Sequence, residues 1–130
     1  LSRLWNKKRV DNKKVLILGL AFKPATDDVR ESPAIPIIKD LIRKGARIFA
    51  HDPIAIENMK NMLPNIDVNY YDSLENTVKD ADAIVLVTSW PEYQLLHEIP
   101  GTKKVPLIDG RRFLDKDSFP YYKGIGISEK

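Results

Sequence analysis

Blocks of apolar residues alternate with amphipathic segments along most of this 130-residue chain. The clearest block is Val15–Leu18, an uninterrupted apolar run that is typical of a strand buried on both faces. Ala83–Thr88, with the sequence AIVLVT, is the next clearest. Between the blocks, apolar residues recur at helical spacing, as at Ile35, Ile38 and Leu41. This alternation predicts a parallel sheet with helices on both faces.

The predicted fold class is therefore α/β, a Rossmann-like three-layer sandwich whose mostly parallel sheet has roughly five to six strands. The predicted strands are Lys14–Leu20, Ala46–His51, Val68–Tyr71, Ala83–Thr88, Val105–Asp109 and Tyr122–Ile127. The predicted helices are Pro33–Lys44, Ile54–Leu63, Ser73–Asp80 and Pro91–Ile99. In the first helix, Ser32 is the expected N-cap, Pro33 the first helical residue and Gly45 the C-terminal stop.

Composition and charge narrow the class of protein. Hydrophobic residues make up 43% of the chain and charged residues 30%, an ordinary globular balance. The net charge of +3 is too weak and too dispersed to indicate a nucleic-acid partner. No apolar run approaches the ~18 residues of a membrane helix, and no export signal is visible, so we expect a cytoplasmic protein that does not enter membranes. The absence of cysteine excludes disulfides and a thiol nucleophile within this chain.

The chain begins at Leu1 rather than at a methionine, and its first residues are basic. We interpret residues 1–13 as the end of an upstream helix and a linker, and residues 14–130 as one domain. The basic side chains of the linker are expected to be solvated. We therefore expect further domains upstream in a longer protein.

The loop after the first strand carries most of the candidate chemistry. The segment Lys14–Pro33, KVLILGLAFKPATDDVRESP, runs from an apolar strand through a charged loop to a helix N-terminus. A strand, a cationic loop and a helix N-terminus together form a geometry that binds anions. Phosphate is the leading candidate ligand.

A dinucleotide site of the usual kind is not predicted here. Such a site has a GxGxxG turn and an acid about 20 residues further on. This loop has Gly19 alone, although Asp52 ends the second strand where a ribose-binding acid would lie. The simpler role for Asp52 is to cap a turn with Pro53. We predict a Rossmann-like domain without a competent NAD site of its own.

Each cationic or aromatic candidate has a structural alternative. Lys23 could contact phosphate or be a solvated loop lysine. Arg30 could do the same or form a local ion pair with Asp27, Asp28 or Glu31. Phe22 could stack on a base or fill the core. Arg111 and Arg112, after the fifth strand, leave the same choice between ligand and structure open.

Other conspicuous residues are assigned structural roles. His51 and His97 form no metal-ligand pattern with neighbouring carboxylates. Asp27 and Asp28 are adjacent in an extended loop, so their side chains point apart and are not an acid–base pair. Trp90 is expected to be a packing residue beneath the helix that follows it.

Several longer motifs carry a family resemblance. GLAFKPATDDVRESPA, ARIFAHDP, DADAIVLVTSWPEY and IDGRRFLD resemble the C-terminal domain of the UDP-glucose/GDP-mannose dehydrogenase family. The pattern FKP-x-TDD-x-RESP is long and specific. The matching segments have the same order and spacing, from about Val15 to the last strand.

The resemblance implies an enzyme of which this chain is one part. Family members have an N-terminal NAD-binding Rossmann domain, a central helical dimerisation segment and this second Rossmann-like domain. They oxidise a nucleotide-sugar alcohol to the acid in two NAD-dependent steps, using a cysteine that lies outside this domain. The substrate lies between the two Rossmann-like domains. The chain alone is therefore expected to be inactive, with no catalytic residue, and the full-length enzyme to be a homo-oligomer.

The resemblance also implies roles for particular residues. Phe22, Lys23 and Arg111 match family positions that contact the nucleotide-sugar, and Arg30 matches one that approaches the NAD bound by the partner domain. The DGR motif favours the UDP-glucose branch and hence a role in polysaccharide biosynthesis. The alternatives are the UDP-N-acetylmannosamine or GDP-mannose branches, a free-standing nucleotide-sensing module, or an interaction domain without a ligand.

Overall fold

The computed structural model of the chain describes residues 12–78, 81–100 and 102–124, and a six-stranded sheet lies at its centre. The strands are β1 (Lys14–Leu18), β2 (Arg47–His51), β3 (Val68–Tyr71), β4 (Ala83–Leu86), β5 (Leu107–Asp109) and β6 (Tyr122–Gly124). Their order is β3-β2-β1-β4-β5-β6, and every adjacent pair is parallel. This is the strand order of dinucleotide-binding Rossmann domains. The predicted fold class is confirmed.

Helices connect the strands. They are α1 (Ala34–Arg43), α2 (Ile56–Met62) and α3 (Leu74–Val78), with 3₁₀ helices at Pro91–Glu98, Thr102–Lys104 and Lys116–Ser118. The predicted helix Pro91–Ile99 is thus helical but of the tighter 3₁₀ type. The predicted linker up to residue 11 and the end of the last predicted strand, residues 125–127, lie outside the described residues.

The two faces of β1 belong to two separate apolar clusters. Val15 and Ile17 pack with residues of α1 and α2, whereas Leu16 and Leu18 pack with residues of the 3₁₀ helix Pro91–Glu98. All four side chains are 1% exposed or less. Burial of each is worth about 1.5–3 kcal/mol. The uninterrupted apolar run therefore does belong to a central strand covered on both sides.

The ends of α1 follow the predicted capping residues. The Ser32 hydroxyl accepts a hydrogen bond from the Ala34 amide at 3.1 Å, and Pro33 already has helical backbone angles. Gly45 has a φ of +96°, which glycine adopts without strain, and its amide donates to the Ile42 carbonyl. The start of α1 is therefore the end of the loop that follows β1.

Several elements are shorter than predicted, among them β5, which begins at Leu107 rather than Val105, and three of the differences lie at the carboxyl edge of the sheet. β1 ends at Leu18 because the chain turns at Gly19, whose φ is +95°. β4 ends at Leu86, after which the amides of Val87 and Thr88 both donate to the Leu18 carbonyl. α2 begins at Ile56 because the two preceding amides bind a side chain. The loops that follow β1, β2 and β4 therefore contact one another at this edge.

Candidate functional site

The turn after β1 requires glycine. A Cβ atom on Gly19 would lie 2.4 Å from Thr88 Cβ and 2.6 Å from the Thr88 amide nitrogen. The Gly19 amide donates to the His51 carbonyl at 2.8 Å. The carbonyl of Ala21, two residues further along the loop, accepts a hydrogen bond of 2.7 Å from the buried Thr88 hydroxyl. The start of the loop is therefore fixed against β2 and β4 together.

Asp52, which follows β2, is the polar centre of this edge. Its side chain is 1% exposed. Its Oδ2 accepts hydrogen bonds from the Leu20 amide at 2.8 Å, the Ala21 amide at 3.1 Å and Trp90 Nε1 at 3.0 Å. Its Oδ1 accepts from the amides of Ile54 and Ala55 at 2.9 and 2.8 Å. One carboxylate therefore joins the loops that follow β1, β2 and β4.

The predicted role of Asp52 in capping a turn is confirmed by its Oδ1 contacts, but the Oδ2 contacts are a structural feature that sequence reasoning missed. Trp90 packs against both apolar clusters, as predicted, and also donates its indole N–H. A signal was available in the sequence, since a buried carboxylate needs several donors and an indole N–H needs an acceptor.

The loop after β1 does not fit the pyrophosphate of a dinucleotide. In a dinucleotide-binding domain the amides of this turn face the phosphates. Here the amides of Leu20 and Ala21 are hydrogen-bonded to Asp52, within 3.1 Å. The acid that would reach a ribose is turned inward. No step involving NAD is therefore assigned to this turn.

Phe22 and Lys23 follow directly from the fixed part of the loop. The Phe22 amide donates to the Asp28 carbonyl at 2.7 Å, which closes the loop on itself. The Phe22 side chain is partly buried, whereas Lys23 is exposed. Ala25 has a φ of +68°, a conformation that non-glycine residues adopt at some cost in energy. The loop thus presents one aromatic and one cationic side chain at the carboxyl edge of β1.

Arg111 reaches this loop from the turn after β5, a strand that lies two positions from β1 in the sheet. Its Nε donates to the Val87 carbonyl at 2.7 Å and its Nη2 to the Phe22 carbonyl at 3.4 Å. The guanidinium therefore joins residues that are 89 positions apart in sequence. Three of the predicted site residues, Phe22, Lys23 and Arg111, are brought together in this way.

Asp109 shapes the turn that carries Arg111. Its buried carboxylate accepts hydrogen bonds from the amides of Arg111 and Leu114, at 3.0 and 2.7 Å. The Tyr122 hydroxyl also donates to it, at 2.9 Å. Burial and this hydrogen bond raise the pKa of Tyr122 to about 12. The Asp109 carboxylate is therefore the scaffold of the turn that carries Arg111.

Arg30 is not part of this group. Its side chain is 80% exposed and pairs with Asp28, with Nε–Oδ1 and Nη2–Oδ2 distances of 3.1 and 2.9 Å. The hydrogen bonds from Arg30 lower the pKa of Asp28 to about 2. This is the local ion pair that the sequence left open as an alternative. No hydrogen bond joins Arg30 to Phe22, Lys23 or Arg111 within the described residues.

Two clefts lie beside the loops at this edge of the sheet. A cleft of about 520 Å³ lies between the loop and α2 and is lined by Asp28, Arg30 and Met62 among others. A second cleft, of about 450 Å³, lies beside Asp52 and the end of β3. Neither is lined by Phe22, Lys23 or Arg111.

The remaining candidates are structural, as predicted. His51 is buried, with Nδ1 2.9 Å from the Tyr93 hydroxyl, and burial lowers its pKa. His97 Nδ1 lies 3.1 Å from the Gln94 carbonyl. Among the described residues, no group of histidine and carboxylate side chains could hold a metal ion. The same part of the chain has no helix long and apolar enough to span a membrane.

Known proteins resemble this chain in sequence and in fold. A UDP-glucose 6-dehydrogenase, AglM, from Haloferax volcanii is 43% identical over 108 residues, which are 82% of this chain and 25% of that protein. The corresponding enzyme from Rickettsia conorii is 42% identical over 118 residues, or 85% of this chain and 27% of its own length. The solved UDP-glucose dehydrogenase from Pyrobaculum islandicum superposes with a TM-score of 0.83 at 29% identity, over 98% of this chain and 28% of that one.

These matches show which part of its relatives the chain corresponds to. The chain spans about a quarter of the length of the curated relatives it matches. The family model for the UDP binding domain of the UDP-glucose/GDP-mannose dehydrogenases matches residues 16–116, which include all four predicted site residues. The chain belongs to the UDP-glucose/GDP-mannose dehydrogenase family and corresponds to its UDP-binding domain.

Proposed function

We propose that this chain is the nucleotide-sugar-binding domain of an NAD-dependent UDP-glucose 6-dehydrogenase, and that Phe22, Lys23 and Arg111 bind the UDP part of the substrate. The observation that carries the proposal is the hydrogen bond from Arg111 Nη2 to the Phe22 carbonyl. This contact brings an arginine from the end of β5 onto the loop that presents Phe22 and Lys23. Two cations and an aromatic ring on one edge suit a nucleoside diphosphate.

The chemistry of each side chain supports this assignment. The Lys23 ammonium is exposed and mobile, so it acts as a point charge for a phosphate. The Arg111 guanidinium is partly buried and held by two carbonyls, which fixes a permanent positive charge beside the loop. The Phe22 ring offers a flat apolar surface to a base or a ribose.

The position of these residues at the carboxyl edge of the sheet supports a site shared with a second domain. In the proposed full-length enzyme, a second domain closes over the ligand and expels water, which strengthens every charge interaction in the site. That domain supplies the catalytic cysteine, because this chain contains none. It also binds the NAD that accepts hydride as the sugar alcohol is oxidised to the acid.

We further propose that Arg30 approaches the NAD held by that second domain. Arg30 is exposed on the outer part of the loop and its partner Asp28 is 38% exposed. An ion pair in solvent is worth little, so the guanidinium can exchange Asp28 for a phosphate without a large cost. The full-length enzyme is proposed to be a cytoplasmic homo-oligomer that supplies sugar acids for polysaccharides.

The proposal is tested by calorimetric titration of the 130-residue chain with UDP and, separately, GDP. UDP is expected to bind more tightly than GDP. Lys23→Ala removes a charge-assisted contact, and Arg111→Lys keeps the charge but replaces the planar guanidinium with an ammonium that lacks its directional donors. Each is expected to weaken UDP binding by about tenfold. Lys39→Ala, on the exposed face of α1, and Arg47→Ala, at the opposite edge of the sheet, are the matched controls.

The controls are expected to leave the affinity for UDP unchanged. Equal losses in the controls would mean that only net charge matters, and this would contradict a defined site. Binding that is unaffected by Lys23→Ala and Arg111→Lys would move the site elsewhere. Equal binding of UDP and GDP would contradict the assignment of the base.

A further inference from the structure

We propose that the Asp52 carboxylate is a built-in anion that takes the place of a bound phosphate, and that it positions the loop carrying Phe22 and Lys23. All five N–H groups that donate to it within the described chain are uncharged, being four backbone amides and one indole. Such a set of backbone amides around one anion is how proteins hold phosphate without a cation. Here the anion belongs to the chain itself.

The location supports the comparison with phosphate. In a Rossmann domain of this strand order, the turn after β1 presents its amides to a pyrophosphate, and the acid after β2 reaches outward to a ribose. In this chain the acid is turned inward onto the amides of Leu20 and Ala21. The substitution of one anion for another gives these two amides an acceptor within the chain itself.

The hydrogen bonds determine the direction in which the loop leaves the sheet. The amides of Leu20 and Ala21 face Asp52, while the Ala21 carbonyl faces the Thr88 hydroxyl. The peptide planes just before Phe22 are therefore fixed on both sides. Asp52 is a positioning residue in this sense, because it acts on the ligand only through the loop.

Removal of the carboxylate would leave an anion site. In Asp52→Ala the donors remain in place around a space of the size that a carboxylate group occupied. Buried amides without partners are costly, and this cost favours the entry of a small anion. Asp52 also lines the cleft of about 450 Å³ beside β3, which gives an anion a path from solvent. Formate matches the lost group, whereas propionate is too large for the space.

The test compares the wild-type chain with Asp52→Ala in sodium formate, sodium propionate and sodium chloride at equal ionic strength. Thermal unfolding gives stability, and ¹⁵N NMR gives the Trp90 indole resonance and the Leu20 and Ala21 amide resonances. We expect Asp52→Ala to unfold at a lower temperature in chloride, with these three resonances displaced. Formate is expected to raise its unfolding temperature in a saturable way and to return the resonances towards the wild-type positions.

Two controls separate this effect from a general effect of salt or of a cavity. The wild-type chain should show no saturable response to formate. Met59→Ala, which leaves an apolar cavity in the core beneath α2, should be destabilised without rescue. A folded Asp52→Ala chain whose stability and resonances ignore formate would overturn the proposal.

Asp52→Asn is the variant that tests the proposal if Asp52→Ala does not fold. An amide of the same shape accepts hydrogen bonds on one side only, and its NH₂ group must face N–H donors on the other. We expect displaced resonances either at Leu20, Ala21 and the Trp90 indole or at Ile54 and Ala55. A spectrum unchanged at all five positions would overturn the proposal.

The effect on ligand affinity rests on the proposed function and is measured separately. UDP binding to Asp52→Ala is expected to be about tenfold weaker in chloride and to recover in formate. A wild-type chain that does not bind UDP would contradict the proposed function while leaving the formate result valid. Wild-type binding of UDP together with unimpaired binding by Asp52→Ala in chloride would contradict the positioning role alone.

Discussion

The two halves of the loop after β1 are held in different ways. The inner half, residues 19–23, is tied to distant parts of the chain by Asp52, Thr88 and Arg111. The outer half, residues 26–31, is anchored by the buried Val29 side chain and by Asn58 Nδ2, which donates to the Asp27 carbonyl, but its charged side chains interact with one another. There the Thr26 hydroxyl accepts from the Asp28 amide, and the Arg30 guanidinium pairs with the Asp28 carboxylate in solvent.

The difference shows how one loop can be both rigid and adaptable. The inner half depends on buried hydrogen bonds, which are costly to leave unmade. The Arg30–Asp28 pair of the outer half is exposed, and its net contribution is small because water competes for these charges. The residues proposed to bind UDP thus lie on or against the half held by buried hydrogen bonds, and the residue proposed to approach NAD lies in an exposed ion pair.

The largest expected effect comes from Gly19→Ala, which breaks the inner half at its start. The variant combines a φ of +95° with a Cβ that would lie 2.4 Å from Thr88 Cβ. We expect a loss of unfolding free energy on the order of 3 kcal/mol or more, measured by urea denaturation.

Gly45→Ala is the matched control, because Gly45 has nearly the same φ, +96°, at the end of α1. Its expected cost is about 1 kcal/mol, from backbone strain alone. Similar losses in the two variants would contradict the view that the close approach to Thr88 makes glycine necessary. Thr88→Ala should not rescue Gly19→Ala, because the Thr88 amide nitrogen would still lie 2.6 Å from the new Cβ.

Asp109→Asn should weaken the support of Arg111 by a smaller amount. The asparagine can accept hydrogen bonds from one side only, so donors among Arg111, Leu114 and Tyr122 lose their acceptor. We expect a loss of about 2 kcal/mol in urea denaturation. Tyr122→Phe removes one of the three hydrogen bonds and should cost about 1 kcal/mol. An equal cost for both variants would contradict the role of Asp109 as the scaffold of this turn.

The inner half should also respond to acid through His51, whose carbonyl accepts from the Gly19 amide. Burial lowers the pKa of His51 below its ordinary value of 6.5, although the carboxylates of Glu92, Asp52 and Asp72 oppose this. The unfolded chain therefore binds more protons than the native chain just below pH 6.5. Stability contributed by this residue is full above pH 6.5 and is lost as the pH falls from there through the lower pKa of the native state.

This pH dependence is measured by urea denaturation from neutral pH to about pH 5. His51→Asn should reduce the slope of unfolding free energy against pH, and His97→Asn is the matched control. A slope that His97→Asn reduces as much as His51→Asn would contradict the assignment to the buried residue.

The smallest effect is expected in the outer half. Arg30→Ala should leave the urea midpoint unchanged, because both partners are exposed to solvent. The same variant should raise the pKa of Asp28 from about 2 towards its ordinary value of 3.8, since it removes the hydrogen bonds that lower it. An NMR titration of the Asp28 carboxyl carbon measures this shift. The Leu20 and Ala21 amide resonances should stay in place in Arg30→Ala. Displaced resonances would show that the exposed ion pair affects the inner half, which would contradict this expectation.

The features that the sequence predicted best depend on local chemistry. The apolar run Val15–Leu18 predicted a doubly buried strand, and Ser32, Pro33 and Gly45 predicted the ends of α1. These predictions succeeded because the deciding interactions lie within a few residues of one another in sequence.

The features that the sequence did not predict depend on contacts between distant segments. The Asp52 carboxylate binds amides 31 and 32 residues away and an indole 38 residues away. The contact of Arg111 with the Phe22 carbonyl spans 89 residues. Periodicity and capping rules contain no information about such pairs. The early end of β1 and the late start of α2 have the same origin, since tertiary hydrogen bonds replace the local ones there.

The most direct test of the account is ¹⁵N NMR mapping of UDP binding on the wild-type chain. We expect UDP-dependent shifts of the amide resonances of Phe22, Lys23 and Arg111. The shifts at Asp28 and Arg30 should be smaller, because the proposed ligand of Arg30 is NAD rather than UDP. GDP at the same concentration should produce weaker shifts at the same residues. Shifts centred on the outer half, or on the clefts beside α2, with none at Phe22, Lys23 and Arg111, would contradict it.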